Sequence, residues 1–361
     1  MNTLKPMIYL LILLNLNLSC VQTETNKGNN KLTETTNPDL SFNTKEDTLV
    51  FTSGIHSLLQ DSKGNYWFGS HQEGVAKFDG DKFTYFTIND GLSDNQIRSI
   101  QEDNNGKIWF GTGNGVSNFK DGIIRNLTPG NPLTELKSVE NEDWGLTEND
   151  LWFDAGKESG VYRYDGQNLS YLEFPIQGVT NTYNATGFSK GKKGNLWIST
   201  YTAVIGYEDE SFEIIDDKSL GYSKETGLLH IRSILEDSKG NLWIGNNGIG
   251  VLLKDGDSII NFSEQNNLIH PTSSRRGDKS TSGTLHVFAI QEDDKGNIWF
   301  GDRDTGAWKF DGKTMTNYTV DEKLKTQMIW SIYQDNNGDL LFAMGAGGVY
   351  QFNGKSFDKK Y

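Results

Sequence analysis

The chain has 361 residues, 35% of them hydrophobic, and carries a formal net charge of −14. A chain of this length can bury a sizeable core, whereas its acidic balance argues against nucleic-acid binding, for which a basic patch is the expected footprint. Its one cysteine excludes stabilisation by intramolecular disulfides.

The first 20 residues have the pattern of an export signal. Lys5 precedes an apolar run from Met7 to Leu14, which is too short to span a bilayer and is typical of a signal-peptide core. The segment ends in Leu-Ser-Cys20, which resembles the bacterial lipobox, a motif whose cysteine is lipidated. The resemblance implies a lipoprotein-type signal peptide over residues 1–20, with the lipid on Cys20 as the only membrane attachment. An ordinary secretory peptide with an incidental cysteine is the alternative.

Residues 21–47 are predicted to form a flexible tether. They are rich in Thr, Asn, Glu and Lys and contain few large apolar residues, so they cannot bury enough surface to offset the entropy of ordering. The next residues, Thr48 to Thr52, are a candidate for an extra outer strand where the first and last repeats meet.

From residue 54 onward one phrase recurs: an aspartate-led turn, Gly-Asn, a tryptophan, and then Phe-Gly or a close relative. Neighbouring copies lie between 42 and 56 residues apart. The successive tryptophans, with a leucine in the seventh place, are Trp67, Trp109, Trp152, Trp197, Trp243, Trp299 and Leu341. Because self-similarity of this kind is the signature of a repeat architecture, the phrase predicts seven repeats that fill residues 54–361.

Each repeat is predicted to contain four short strands. Alternating residues such as Ile97–Glu102 indicate a half-buried strand. Asp-Gly pairs favour the type I′ turn of a hairpin, since both of its central residues need positive φ. These pairs, with an Asn-Gly in the last repeat, are Asp79-Gly80, Asp121-Gly122, Asp165-Gly166, Asp255-Gly256, Asp311-Gly312 and Asn353-Gly354. Four strands per repeat indicate a propeller blade. We therefore predict an all-β fold over residues 48–361, a seven-bladed β-propeller of four-stranded antiparallel blades.

The repeat resembles that of a known family. The runs Ile-x-Ser-Ile-x-Glu-Asp, Gly-Asn-x-Trp-Phe-Gly-Thr and Gly-Val-x-x-Phe-Asp-Gly look like the two-component regulator propeller repeat. Repeats 3 and 4 depart from it, through an insertion at Trp144–Asn149 and through Glu208-Asp209-Glu210 in place of Asp-Gly. The resemblance implies the extracytoplasmic sensor of a hybrid two-component regulator, often one that senses glycans. Since the chain ends at the seventh repeat, we expect a stand-alone lipoprotein form without its own kinase, receiver or DNA-binding domain.

Positions that recur in most repeats are interpreted as structural. The aspartate that leads each turn is one of them, because a carboxylate there accepts hydrogen bonds from nearby backbone N–H groups. A calcium site at Asp335–Asp339 is disfavoured, since the later bidentate glutamate of a calcium loop is missing. We predict no metal and no cofactor.

Positions that change from repeat to repeat are the candidates for function. In a propeller the first strand of each blade lines the central channel, and its entry residues share one mouth with nearby loops. Arg, Lys, His and aromatic residues at this mouth suit a polar or anionic ligand such as a glycan fragment, held by aromatic stacking and bidentate hydrogen bonds. The predicted ligand-binding residues are His56, His71, Arg98, Lys137, Tyr201, His230, Arg232, His286, Phe288, Arg303 and Trp330. Ordinary solvated rim residues are the alternative.

Three functions stay open. The favoured one is an exported, lipid-anchored, monomeric ligand-binding or sensor propeller in the bacterial cell envelope, on the periplasmic side or at the cell surface, whose partner is a small molecule or oligosaccharide. The second is an interaction scaffold that docks another envelope protein. The third is a propeller lyase of the streptogramin type that uses His230 and His286 for acid–base chemistry. Because the sequence has no Glu-x-His pair at these positions, a non-catalytic binding module is favoured over an enzyme.

Overall fold

Each predicted repeat folds into one blade, and the blades form a seven-bladed β-propeller. The computed structural model describes residues 44–46, 48–128, 144–156, 158–174, 184–224, 227–274 and 282–361. Cys20, the predicted signal peptide and most of the predicted tether lie outside the described residues. The described inner strands of adjacent blades contact each other, and the inner strand of blade 7 contacts that of blade 1. The predicted fold class is therefore confirmed.

The strands run from the channel outward within each blade and pair antiparallel. Blade 1 contains β1 (Thr44–Glu46), β2 (Ile55–Gln60), β3 (Tyr66–Ser70), β4 (Val75–Phe78) and β5 (Lys82–Phe86), followed by a 3₁₀-helix (Ile88–Asp90). Blade 2 contains β6 (Ile97–Glu102), β7 (Ile108–Thr112), β8 (Gly115–Lys120) and β9 (Ile123–Asn126). The described strands of blade 3 are β10 (Leu151–Asp154), β11 (Gly160–Tyr164) and β12 (Leu169–Glu173). The inner strand predicted for this repeat falls on residues 129–143, outside the described part of the chain.

The other four blades follow the same order. Blade 4 contains β13 (Ala185–Lys190), β14 (Leu196–Thr200), β15 (Ala203–Glu208) and β16 (Ser211–Asp216), then helix α1 (Asp217–Leu220). Blade 5 contains β17 (Ile231–Glu236), β18 (Leu242–Asn246), β19 (Val251–Asp255) and β20 (Ser258–Asn261), then helix α2 (Phe262–Gln265) and a hairpin of β21 (Ile269–Ser274) and β22 (Ser282–Thr284). Blade 6 contains β23 (Val287–Glu292), β24 (Ile298–Asp302), β25 (Gly306–Phe310) and β26 (Met315–Tyr318). Blade 7 contains β27 (Ile329–Gln334), β28 (Leu340–Met344), β29 (Val349–Phe352) and β30 (Phe357–Lys359).

The extra outer strand lies at residues 44–46, within the predicted tether, and not at Thr48 to Thr52 as the sequence predicted. It pairs with β5, whose outer edge offers unpaired backbone N–H and C=O groups. The segment Thr48 to Thr52 instead contributes side chains to the interior: Leu49 and Phe51 are buried in a core shared by blades 1 and 7.

The recurring tryptophan and the aspartate that leads its turn form one hydrogen-bonded unit in blades 1, 2, 5 and 6. The indole N–H donates to the aspartate Oδ2 at 2.8 or 2.9 Å in all four blades. Burial alone would raise the pKa of Asp237, but hydrogen bonds from Trp243, Asn241 and the backbone bring it below its usual value. The aspartate is thus structural, as the sequence predicted.

Blade 4 keeps its tryptophan but takes the carboxylate from a neighbour. Gly191 stands in the place of the leading aspartate, and Glu236 of blade 5 supplies the acceptor. Its Oε2 accepts from Trp197 Nε1 at 2.7 Å and from Asn195 Nδ2 at 2.8 Å. Its Oε1 accepts from the backbone N–H of Lys192 at 3.2 Å. One side chain therefore replaces the missing aspartate and joins two blades.

Blade 7 has the opposite departure, an aspartate without its tryptophan. With Leu341 in the tryptophan position, Asp335 Oδ2 instead accepts from the Tyr66 hydroxyl of blade 1 at 2.6 Å. Tyr361 packs against Phe68 and Phe83 of blade 1, with ring centroids 5.0 and 5.9 Å apart. Blade 7 has four strands of its own, so side chains rather than a shared strand join it to blade 1.

Tyr66→Phe should lower the free energy of unfolding by about 1–2 kcal/mol, because it removes a hydrogen bond to a carboxylate and leaves a part-buried acceptor unpaired. Urea unfolding monitored by tryptophan fluorescence measures the change. Tyr164→Phe is the matched control, since its hydroxyl donates to the neutral carbonyl of Gly166 within blade 3. An equal or larger loss in the control would contradict a special role for the contact between blades 1 and 7.

Candidate functional site

A cavity of about 430 Å³ lies where the inner strands begin. We call it the mouth cavity. Its described lining residues come from blades 1, 2, 4, 5, 6 and 7, and they are His56, His71, Gln96, Arg98, Ala185, Thr186, Tyr201, Arg232, Phe288, Met328 and Trp330. The structure therefore brings together seven of the residues that the sequence predicted for ligand binding.

A β-bulge explains why these side chains reach the channel. In each described inner strand the register with the second strand shifts around the second residue. The residues within the bulges are His56, Arg98, Thr186, Arg232, Phe288 and Trp330. A bulged residue is left out of the ladder and its side chain is redirected. The positions that vary most in chemistry are thus the ones that the sheet does not pair.

Three aromatic rings form one wall of the mouth cavity. The Trp330 centroid lies 4.0 Å from that of His56 and 4.9 Å from that of His71, and the two imidazoles are 4.8 Å apart. Burial, and then the charges of His71, Arg98 and Arg232, lower the pKa of His56 to about 3. Burial and Arg98 also lower the pKa of His71. Both imidazoles are therefore neutral at neutral pH and present hydrogen-bonding edges rather than charges.

Two arginines line the mouth cavity. The Arg232 guanidinium lies between two rings, 5.2 Å from the centroid of Tyr201 and 4.9 Å from that of Phe288. Arg98 pairs with the carboxylate of Asp154 in blade 3. The described lining contains no Asp or Glu. The described lining thus carries two guanidinium groups and no carboxylate, although the chain as a whole is acidic.

The other predicted residues of blades 5 and 6 are His230, His286 and Arg303. They belong to a separate polar cluster, outside the described lining of the mouth cavity. Asn247 is its centre: its Oδ1 lies 2.8 Å from His286 Nδ1, and its Nδ2 lies 3.2 Å from His230 Nδ1. Arg303 Nη1 also donates to Asn247 Oδ1, at 3.4 Å, which fixes the orientation of the amide. In this arrangement His286 carries its proton on Nδ1 and His230 carries its proton on Nε2. Arg303 is held further by two hydrogen bonds to Asp304, at 2.9 and 2.7 Å.

The arrangement of this cluster bears on the proposed catalytic pair. His286 is 0% exposed, and the Nδ1 atoms of both histidines are directed at the same amide. A general base must come within hydrogen-bond reach of the proton that it removes. The geometry therefore favours a structural role for His286.

The predicted ligand-binding residues do not include the lining residues Gln96, Ala185, Thr186 and Met328, nor two further contributors, Asn247 and Asp154. Asn247 follows a strand that ends at Asn246, so only its cross-blade contacts reveal it. Asp154 occupies a position that holds small residues in the other blades. An alignment of the repeats would therefore have marked it as an exception. Lys137 lies outside the described residues, and its role stays a prediction.

Two features are absent from the described residues. No group of three or more His, Cys, Asp or Glu side chains there is arranged to hold a metal ion. No helix in the same residues has the length and apolar character needed to cross a membrane.

The fold and its mouth cavity define a seven-bladed β-propeller with a cavity at one end of the channel whose described lining includes two arginines. Residues 50–72, 91–114, 228–248 and 282–304 match the family described as two component regulator propeller. The chain thus carries two-component regulator propeller repeats, which confirms the resemblance predicted from the sequence.

Known proteins similar to this chain include both sensors and enzymes. Histidine kinase P4 of Formosa agariphila is 25% identical over 205 residues, which are 55% of this chain and 12% of the kinase. The extracellular domain of a putative hybrid two component system from B. thetaiotaomicron is 21% identical, with a TM-score of 0.62 over 84% of this chain and 39% of that one. Virginiamycin B lyase from Staphylococcus aureus is 16% identical, with a TM-score of 0.58 over 86% of this chain and 98% of the lyase. At these identities the likeness to solved structures shows the fold alone. The chain spans less than half the length of the first two proteins.

Proposed function

We propose that this propeller is an extracytoplasmic ligand-binding module of a sensor, and that its mouth cavity binds a glycan fragment that carries an acidic group. The observation that carries the proposal is a cavity of about 430 Å³ in which two guanidinium groups and several aromatic rings meet, with no Asp or Glu in the described lining. A guanidinium binds a carboxylate or sulfate through paired hydrogen bonds.

The other lining residues suit the rest of a sugar. Aromatic faces such as Trp330 and Tyr201 offer apolar surface for one side of a pyranose ring, and the neutral edges of His56 and His71 can hydrogen bond to hydroxyls. Arg232, held between two rings, is oriented before any ligand arrives. Such preorganisation lowers the entropic cost of binding.

The similar proteins support a sensory role outside the cytoplasm. The histidine kinase is named for signalling, and the two component protein contributes an extracellular domain.

Lipidation of Cys20 would hold such a module at a membrane, as the sequence motif predicts. Metabolic labelling with an alkyne fatty acid, with Cys20→Ser as the control, tests the anchor; labelling that persists in Cys20→Ser would contradict it.

Binding is tested by thermal-shift and glycan-array screening of the purified propeller. We expect acidic glycans to raise the melting temperature, because a ligand that binds only the folded state stabilises it by mass action. If no glycan shifts the melting temperature while one envelope protein co-purifies with the chain, the interaction scaffold replaces the sensor.

Arg232→Ala should weaken binding of glucuronate, the simplest sugar-acid probe, by roughly 10- to 100-fold, because hydrogen bonds to charged groups contribute about 1.5–3 kcal/mol. Isothermal titration calorimetry measures the affinity. Arg303→Ala is the matched control, since Arg303 pairs with Asp304 and lies outside the described lining of the cavity. Equal losses in both variants would show that the mouth cavity is not the binding site.

A further inference from the structure

The tryptophan of blade 4 is less covered than its counterparts in the other blades. Trp197 is half-buried, whereas the tryptophans in the same position of the other blades are at most 3% exposed. Its side chain packs toward blade 5, and a cavity of about 250 Å³ lies against it. We call this the blade 4 cavity, and its described lining includes Asn195, Trp197, Gly206, Glu208, Asp209 and Glu213. It shares no described lining residue with the mouth cavity.

The residue that blade 5 places near this tryptophan is one cause of the cavity. In four other contacts between neighbouring blades, an aromatic ring of the next blade packs against the tryptophan, with centroids 5.0, 4.1, 6.0 and 4.8 Å apart. These aromatic residues are Phe119, Tyr164, Phe310 and Phe352. Blade 5 has Lys254 in this place. Its ammonium lies 5.9 Å from the Trp197 centroid and 3.4 Å from Glu213 Oε1, and Lys254 is outside the described lining.

A glycine in blade 4 is the other cause. Gly206 pairs with Trp197 across the sheet. The residues that pair with the tryptophan in blades 1, 3 and 6 are Lys77, Arg163 and Lys309. Their charged groups lie 5.7, 5.8 and 5.6 Å from the centroid of the tryptophan ring, which is within the range of a cation–π contact. A cation from outside the chain would therefore occupy, at Trp197, the place that these three blades fill with a side chain of their own.

Carboxylates accompany the uncovered indole. Glu213 pairs with Gly206 in the fourth strand, whereas the residues at this place in blades 1, 3 and 6 are Thr84, Ser170 and Thr316. Glu208 and Asp209 also line the cavity, and the described lining contains no Lys or Arg. Asn195 adds a buried side-chain oxygen, Oδ1, that accepts no hydrogen bond in the structure. An aromatic face beside several acceptors favours a ligand group that is cationic and rich in donors.

The shape of the blade 4 cavity indicates what carries the cation. The described lining comes from blade 4 alone, and the volume of about 250 Å³ is below the roughly 300–1,000 Å³ of most small-molecule sites. Such a cavity gives a free ligand one wall, whereas a side chain presented by a partner protein is enclosed on its other sides by that partner. The side chain of Glu213 is half exposed, so a partner can reach it.

We propose that the blade 4 cavity binds a basic side chain, arginine or lysine, of a partner protein. The charged group stacks on Trp197 and pairs with Glu213. The indole is oriented in advance, because its N–H donates to Glu236 at 2.7 Å. This inference goes beyond the proposed function, since it concerns a separate surface: the propeller can hold a ligand at its mouth and a partner protein at blade 4 at the same time.

Nuclear magnetic resonance titration of the isotope-labelled chain tests the site. The indole N–H signal of Trp197 is identified by its loss in Trp197→Phe. We expect the capped tripeptide Gly-Arg-Gly, and its lysine counterpart, to shift this signal in a saturable way at millimolar concentration. The same tripeptide with citrulline in place of arginine is the control, because it keeps the shape and loses the charge. Equal shifts with arginine and citrulline would overturn the proposal.

Two variants test the residues around the indole. Glu213→Gln should weaken binding of the arginine tripeptide by roughly 2- to 5-fold, the range for loss of one exposed ion pair. Lys254→Met should strengthen binding, because it removes the cation that competes for Glu213. Glu173→Gln is the matched control, since it removes an exposed carboxylate from the outer strand of blade 3 and should leave the affinity unchanged. Equal losses in Glu213→Gln and Glu173→Gln would mean general attraction to an acidic protein and no built site.

Methylguanidine, the charged group without a peptide chain, distinguishes a partner protein from a small amine. It should bind more weakly than the arginine tripeptide, because it lacks the aliphatic stem that packs along the indole. Equal or tighter binding of methylguanidine would show that the site serves a small amine, and the partner protein would be wrong. If neither basic tripeptide shifts the Trp197 signal, the site itself is refuted. Glucuronate binding at Arg232 is unaffected by either result, so the proposed function is judged separately.

Discussion

Trp109→Ala should lower the free energy of unfolding by about 3–5 kcal/mol, the range for truncation of a large buried aromatic. The indole is 1% exposed and lies between blades 2 and 3, with its centroid 4.1 Å from that of Tyr164 and 6.1 Å from that of Phe153. Alanine also leaves Asp103 Oδ2 without its indole donor. Urea unfolding followed by far-ultraviolet circular dichroism measures the loss.

Trp109→Phe separates the two contributions. It keeps most of the apolar contact and removes the hydrogen bond to Asp103, so we expect a smaller loss of about 1–3 kcal/mol. Arg232→Ala is the comparison at the mouth cavity and should change stability little, because a side chain at a bulge supports no ladder pairing. Equal destabilisation by Trp109→Ala and Arg232→Ala would refute the division between structural and ligand-binding positions.

Glu236→Ala should lower the free energy of unfolding by about 2–4 kcal/mol, because it leaves Trp197 Nε1 and Asn195 Nδ2 without an acceptor in a part-buried contact. The same position in blade 6 provides the control. Glu292 accepts from the backbone and hydroxyl of Ser238 at an exposed site, and Glu292→Ala should cost about 1 kcal/mol or less.

Both variants remove one glutamate from the end of an inner strand. They therefore differ only in which hydrogen-bond donors lose their acceptor. Thermal and urea unfolding of the two proteins, measured side by side, give the comparison. Similar losses would mean that the blade 4 tryptophan gains nothing from the carboxylate of blade 5. In that case the replacement of the leading aspartate by Gly191 would be uncompensated.

The repeated phrase predicted the architecture because each copy is local. The Asp-x-x-Gly turn with its tryptophan, and the Asp-Gly hairpin, each form their hydrogen bonds within one blade. A period of such units leaves few alternative folds. The mouth residues could also be predicted from the sequence, because variation between repeats marks positions that take no part in strand pairing. Arg98, Arg232 and Trp330 are among them.

Contacts between blades could not be predicted in the same way. The pairing of Arg98 with Asp154 depends on how blades 2 and 3 are placed, and no local pattern encodes that placement. The same holds for Glu236, which accepts a hydrogen bond from the tryptophan of the preceding blade. The repeat pattern places His230 and His286 with the mouth residues, whereas the amide of Asn247 holds them in a separate cluster.

The bulge in each described inner strand has a consequence for how such chains diversify. Because the bulged side chain is released from ladder geometry, its identity is set neither by strand propensity nor by a cross-strand neighbour. A library that randomises Thr186, Phe288 and Trp330 together should therefore keep most of its members folded, which protease resistance on yeast display would measure; widespread unfolding would contradict it. Mutation can then change the chemistry of the mouth cavity in single steps, without passing through sequences that fail to fold.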